Sequence, residues 1–215
     1  MSMSQMREHI LALTLANNES WERMRYFLPL MQLLVHGEPV SLEHLATTLG
    51  RPVQDVIEAL RQFEDVATDE DGRLVGAGIS LLPTPYRFEV QGHELFTWCA
   101  LDTLIFPAWL RLPAQVASVC PVTGTAIHLR VSPEGVEQFA PSSAVISLLI
   151  QEGLATCGNI RDVFCTYSQF FASPEAASAW HALHPDGHVL PIEEASHLAQ
   201  TLARLTLQRF QDGTR

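Results

Sequence analysis

The stretch Ser41–Val66, "SLEHLATTLGRPVQDVIEALRQFEDV", decides the fold of the N-terminal half. Leu42, Leu45, Ala46 and Leu49 recur at helical spacing, with Ser41 able to cap the start and Gly50 able to close the end. A second helix then opens at Pro52, whose fixed φ and missing N–H suit a first helical turn, and carries Val53, Val56, Ile57, Leu60 and Phe63 on one face. The pattern predicts a helix-turn-helix.

Working outward, residues 7–34 carry Ile10, Leu11, Leu13, Leu15, Trp21, Met24, Phe27, Leu28, Met31 and Leu34, broken by the polar "NNES" at 17–20. Two short helices are expected there. Downstream, "TDEDGRLVGAGISLLPTPYRFEVQG" (68–92) reads as an acidic turn followed by short strands, with Asp71-Gly72 and Gln91-Gly92 as turns. Helices followed by a hairpin make residues 1–92 a winged-helix-like region. Its second helix offers Asp55 and Glu58, with Glu64 and Asp65 just beyond, against Arg51 and Arg61, which is poor chemistry for phosphates, so no nucleic-acid partner is expected.

Composition points the same way. The chain has 215 residues, 47% hydrophobic and 17% charged, with a formal net charge of -11, so it can bury a core and has no general attraction to polyanions. No apolar run approaches the roughly 20 residues of a membrane-spanning helix. "HILALTLA" (9–16) is short, its leader has no net basic charge, and an amphipathic helix is the expected reading rather than a signal peptide. The four cysteines are too few for a disulfide scaffold and none forms a CxxC pair, which suggests reduced thiols in the cytoplasm.

From residue 93 to 215 the pattern becomes mixed. A short helix is expected through "TWCALDTLIFPAWL" (97–110), ended or kinked by Pro107. "AQVASV" and "TAIHLRV" flank the turn "CPVTG" as a hairpin, "SAVISLLI" adds an apolar strand, and "RDVFCTYSQFF" (161–171), rich in aromatic and β-branched residues, reads as another strand. "PEAASAWHAL" and "IEEASHLAQTLARLTLQRF" close the chain as helices. The class is α+β: a winged-helix-like part packed on a mixed α/β core that carries the cysteines.

Cys99 and Asp102 stand three residues apart, on one face if the segment is helical. With a helix starting near Phe96, Cys99 would sit in the first turn, where the dipole favours a thiolate; the plainer alternative is a small buried hydrophobe beside a surface acid. Cys165 lies far along the chain among aromatics, Cys120 opens a turn, and Cys157 sits in a polar stretch. No pair has the spacing of a structural zinc site, although two thiolates brought together by folding would suit a soft metal. His181, His184 and His188 could recruit a metal, but Pro185, Asp186 and Gly187 between them read as a solvated turn.

The runs "FTWCALDTLIFPAWL" (96–110), "VSPEGV" (131–136) and "VFCTYSQFFASPEAASAW" (163–180) resemble the bacterial organomercurial lyase (alkylmercury lyase) family, as do "GEPVSLEHLATTLG" (37–50) and "EDGRLVGAGISLLPTPYRFEV" (70–90). The likeness covers nearly the whole chain. It implies that Cys99 and Cys165 are the catalytic thiols, that Asp102 carries the proton, and that Cys99, Cys165 and Asp102 together meet the mercury of substrate and product. It makes Cys120 structural and leaves Cys157 outside the motif. The implied reaction is protonolysis of a carbon–mercury bond to a hydrocarbon and Hg(II), without a cofactor, with small-molecule thiols or a mercuric reductase taking the ion away. Phe96, Trp98, Phe164, Phe170 and Phe171 are candidates to line an apolar pocket, or else ordinary core. The rivals are a thiol protein that merely sequesters a soft metal, which would have no use for Asp102, and a metal-responsive regulator using the helix-turn-helix, which the acidic second helix disfavours.

Overall fold

The computed structural model describes residues 18–63, 65–149 and 160–212. Its N-terminal helices follow the apolar spacing. Helix α1 (Asn18–Leu34) starts inside the polar stretch expected to interrupt it and continues unbroken past Pro29; the earlier helix of the expected pair lies outside the described residues. Helix α2 (Leu42–Leu49) is capped by Ser41, whose side chain accepts the His44 N–H, and is closed by Gly50 at φ 62°. Helix α3 (Val53–Leu60) begins directly after Pro52. Leu30, Met31 and Leu34 of α1, Leu45 of α2 and Val56 of α3 all turn into one core.

The chain then enters the sheet. Strands β1 (Ala67–Thr68), β2 (Leu74–Ala77) and β3 (Ile79–Ser80) form the expected wing, and a bridge between Val40 and Leu74 pins the helical module to it. Next come β4 (Tyr86–Val90) and β5 (His93–Thr97), joined at Gln91-Gly92, then helix α4 (Asp102–Leu110). The sheet is completed by β6 (Ala114–Val119), β7 (Ala126–Ser132) and β8 (Gly135–Ala140). All eight strands pair antiparallel in the order β1-β2-β3-β5-β4-β6-β7-β8, so one sheet runs from the wing into the C-terminal half.

A smaller antiparallel sheet of order β10-β9-β11 lies beyond it, made from β9 (Val145–Leu148), β10 (Phe170–Phe171) and β11 (His188–Pro191). Helix α5 (Ile160–Val163) precedes β10, helix α6 (Pro174–Leu183) follows it, and α7 (Ile192–Asp212) ends the described chain. Helix α4 packs between α7 and the large sheet, while α7 also touches β8, β9 and β11. The α+β class and the helix-turn-helix with its wing are as expected.

Two expectations fail in instructive ways. The segment at 97–110 is not helical from its start: β5 continues through Thr97, with Leu95 and Thr97 buried and paired to Phe88 and Tyr86, and the helix begins only at Asp102. Strand pairing overrides the apolar run. The stretch 161–171 is mostly not a strand either, because Cys165–Tyr167 winds into a 3-10 turn, with Tyr167 N–H bonded to Phe164 O and Ser168 N–H to Cys165 O. Only Phe170 and Phe171 reach the small sheet.

Candidate active site

Cys99 sits in the four-residue connection between β5 and α4, ahead of the helix rather than in its first turn. Threonines fix this connection: Thr97 Oγ1 donates to Cys99 O at 3.0 Å, Thr84 Oγ1 to Thr97 O at 2.6 Å, and Thr103 Oγ1 to Ala100 O at 2.7 Å. Asp102, the first residue of α4, reaches back so that its Oδ2 accepts the Cys99 N–H at 3.2 Å. Its carboxylate also accepts the Trp98 N–H. The acid therefore organises the loop that holds the thiol.

Cys165 comes from the 3-10 turn on the other side. The Sγ atoms of Cys99 and Cys165 and a carboxylate oxygen of Asp102 lie within 4.8 Å of one another, and this is the only such potential metal-holding group among the described residues. Cys99 is fully buried and Cys165 is 5% exposed, while Asp102 keeps a partly open surface. Three donors from distant parts of the sequence meet in a nearly dry centre.

Burial sets their protonation. It pushes Asp102 from 3.8 up to about 7, against the opposing hydrogen bonds from the Cys99 thiol and the two amides. An aspartate left at its ordinary value would be fully ionised near neutrality; this one is shared between its two forms. Burial also raises Cys99, despite hydrogen bonds from Cys165 and Ser168. Cys165 rises further, first because its proton is held in the hydrogen bond to Cys99 and then because it too is desolvated, with Cys99, Asp102 and Asp65 nearby. The expected helix-dipole lowering of the Cys99 thiol is overturned: both cysteines rest as thiols.

Two other groups shape the centre, and neither stands out in the sequence. Tyr86 on β4 is buried, and its own ionisation is strongly disfavoured by burial and by the charges of Cys99, Cys165 and Asp102. Ser168, also fully buried, accepts the Leu101 N–H on its Oγ at 3.0 Å. Tyr86 occupies an inward position of an alternating strand, so only its hydroxyl hinted at more than packing.

The remaining candidates divide. Trp98 lies edge-on to Phe27 with the Arg161 guanidinium over its face, and Phe170 packs on Tyr86, so both adjoin the centre; Phe171 is deep core, while Phe96 and Phe164 are half-buried. Cys120 is buried in the β6–β7 turn, outside the donor group. Cys157 lies outside the described residues. His184 stacks on Trp180 at 4.6 Å with its Nδ1 2.8 Å from Trp180 O, which makes it a helix-end cap and leaves the histidines without a shared metal position among the described residues.

A buried dithiol beside a carboxyl raised to about 7, inside an α+β core behind a helix-turn-helix, is a donor set of the class suited to a soft metal with a proton carrier at hand. The chain belongs to the alkylmercury lyase family: residues 79–204 match the family model "Alkylmercury lyase" and residues 8–78 the "Helix-turn-helix domain of alkylmercury lyase". It is 43% identical to the alkylmercury lyase of Staphylococcus epidermidis over 176 residues, 82% of this chain and 80% of that protein. Against the alkylmercury lyase of Pseudomonas putida it is 40% identical over 199 residues, 93% and 92% of the two chains. The fold is also that of the mercury-bound form of MerB2, with a TM-score of 0.71 at 24% identity, covering 94% of this chain and 99% of that one. The protein is an enzyme of mercury resistance that cleaves carbon–mercury bonds in organomercury compounds and yields Hg(II).

Proposed function

We propose that Cys99 and Cys165 take the organomercurial and that Asp102 carries the proton to carbon. The observation that supports this assignment most directly is the convergence of the three donor atoms within 4.8 Å in a buried centre. The steps follow from the resting protonation states. Cys99 loses its proton to Asp102 and captures the R–Hg cation, displacing the ligand that brought it. The positive metal then lowers the Cys165 thiol, which stays protonated until mercury arrives.

Asp102, having passed its first proton to the displaced ligand, takes the Cys165 proton as the second sulfur adds to mercury and pushes electron density through the metal onto carbon. Asp102, holding a thiol proton, delivers it to that carbon; the bonding pair of the C–Hg bond goes to the new C–H bond, and RH leaves. Hg(II) remains on the two sulfurs. A carboxyl at about 7 lies much nearer the raised thiols than an ordinary aspartate would, which narrows the gap for taking a thiol proton and still leaves the acid able to give it to carbon. Soft sulfur is the matched donor for mercury.

Two further readings rest on the same chemistry. No resident cofactor is needed, and small-molecule thiols, or a mercuric reductase as acceptor, take Hg(II) from the cysteine pair. A cytoplasmic setting would supply such thiols and keep both cysteines reduced; no helix among the described residues is long and apolar enough to cross a membrane. The test is headspace detection of benzene from phenylmercuric acetate with excess small thiol. Benzene over many turnovers, lost in Asp102→Ala while Hg(II) still binds, is the expected result; turnover by Asp102→Ala at the parent rate would remove Asp102 from the mechanism.

A further inference from the structure

The Cys165 turn is fastened on two sides. Ser147 of β9 holds one: its Oγ donates to Tyr167 O at 2.8 Å and accepts the Gln169 N–H at 3.1 Å, and its own N–H donates to Gln169 O at 2.9 Å. Ser168, the residue between them, holds the other. Its carbonyl accepts the Ala100 N–H at 3.1 Å and the Tyr86 hydroxyl at 3.2 Å, and its Oγ accepts the Leu101 N–H at 3.0 Å. The hydroxyl also hydrogen-bonds the Cys99 sulfur. A serine hydroxyl has one proton and two lone pairs, so accepting from Leu101 leaves its proton free for that sulfur.

We infer that Ser168 is the positioning residue that sets the separation of the two mercury-binding thiols, by clamping the Cys165 turn directly onto the Cys99 loop. The inference rests on the proposed roles of Cys99 and Cys165. The two segments share no strand or helix, and Leu101 and Ser168 stand 67 residues apart in sequence, so no regular element fixes one sulfur relative to the other. Protonolysis needs both sulfurs on one metal at once, whereas capture needs only one. A shift of about 1 Å in such a pair can cost a hundredfold in rate. The clamp therefore acts on the chemical step more than on substrate capture.

The test is Ser168→Ala, assayed for benzene release from phenylmercuric acetate and for Hg(II) retention against increasing dithiothreitol. The expected result is a fall in kcat of at least about tenfold with KM within about twofold, weaker Hg(II) retention by about tenfold, and recovery of both in Ser168→Thr, which keeps the hydroxyl. Parent-like kcat and retention in a folded Ser168→Ala protein overturn the proposal. A defect of equal size in Ser168→Thr also overturns it, because packing rather than the hydroxyl would then be responsible. Should Ser168→Ala not fold, the near-isosteric pair Ser168→Val and Ser168→Thr reads the same hydroxyl under the same criteria. Turnover by Cys99→Ala or Cys165→Ala would sink the thiol assignment and the clamp with it; inactivity of both beside a parent-like Ser168→Ala would sink the clamp alone.

Discussion

Replacing Asp102 by asparagine should stabilise the protein increasingly as pH rises. The carboxyl moves from 3.8 in the unfolded chain to about 7 in the folded one, so the folded state binds this proton more tightly. The resulting stabilisation is fully present below about 3.8 and is lost as pH climbs through about 7. A shift of roughly 3 units sets an upper bound of about 4 kcal/mol on the cost of ionising Asp102 in place. Between about pH 5 and pH 8.5 the charged carboxylate should remove about 2 to 3 kcal/mol from the parent and nothing comparable from Asp102→Asn. For a chain of this size that is about 5 to 10 °C in Tm. Asparagine also alters the hydrogen bonds to the Cys99 and Trp98 amides, which adds a constant offset, so the slope with pH is the diagnostic quantity. Both thiols lie above their ordinary value and stay protonated through this window. Circular dichroism melts of the two proteins at the two pH values make the measurement; a Tm difference that does not widen with pH would refute the claim that burial raises Asp102.

Cys99→Ser and Cys165→Ala should each lower benzene release by at least about a thousandfold, since neither leaves two soft donors, while far-UV circular dichroism stays parent-like; a normal rate in either frees that residue from its assigned role. The Ala172, Thr123 and Val122 amides face the Cys120 sulfur, joining the β6–β7 turn to the end of β10, while Thr123 Oγ1 donates to Thr125 Oγ1 at 2.9 Å. Cys120→Ala should therefore cost about 1 to 2 kcal/mol of stability in a urea titration and leave kcat within about twofold, and a large loss of kcat in a stably folded variant would contradict the structural role. Gly187→Ala would place a Cβ 2.5 Å from the rigid Trp180 ring, so Tm should fall by about 3 to 10 °C; an unchanged Tm would mean that the Trp180–His184 stack yields freely.

What was legible in the sequence was what local chemistry controls. Ser41 and Gly50 mark the ends of α2, Pro52 marks the start of α3, and Asp71-Gly72 and Gln91-Gly92 mark turns, because caps and turns are decided by one or two residues each. The Cys99 loop was misread because its aromatic and aliphatic residues suit strand and helix alike; the decision falls to Tyr86 and Ile79, which pair with Thr97 from elsewhere in the chain. The Cys165 turn was misread for the converse reason: β-forming residues were overruled by hydrogen bonds to Ser147 and to the Cys99 loop. The cysteines and the aspartate could be named from the family resemblance. Tyr86 and Ser168 could not, since their contact exists only after β4 and the 3-10 turn have met.

The helix-turn-helix also packs against the thiol centre. From α1, Phe27 packs edge-on against Phe63 at 5.6 Å and against Trp98 at 6.5 Å, and Trp98 is the residue whose amide bonds Asp102. Asp65, buried just after the second helix of the motif and paired with Arg23, lies close enough to Cys165 to oppose formation of its thiolate. The module thus supplies one wall of the centre and a negative charge behind the second thiol. Of the two, Asp65 favours the state in which Cys165 keeps its proton. The contact of Phe27 with Trp98 thus links the helix-turn-helix to the loop that carries Cys99 and Asp102.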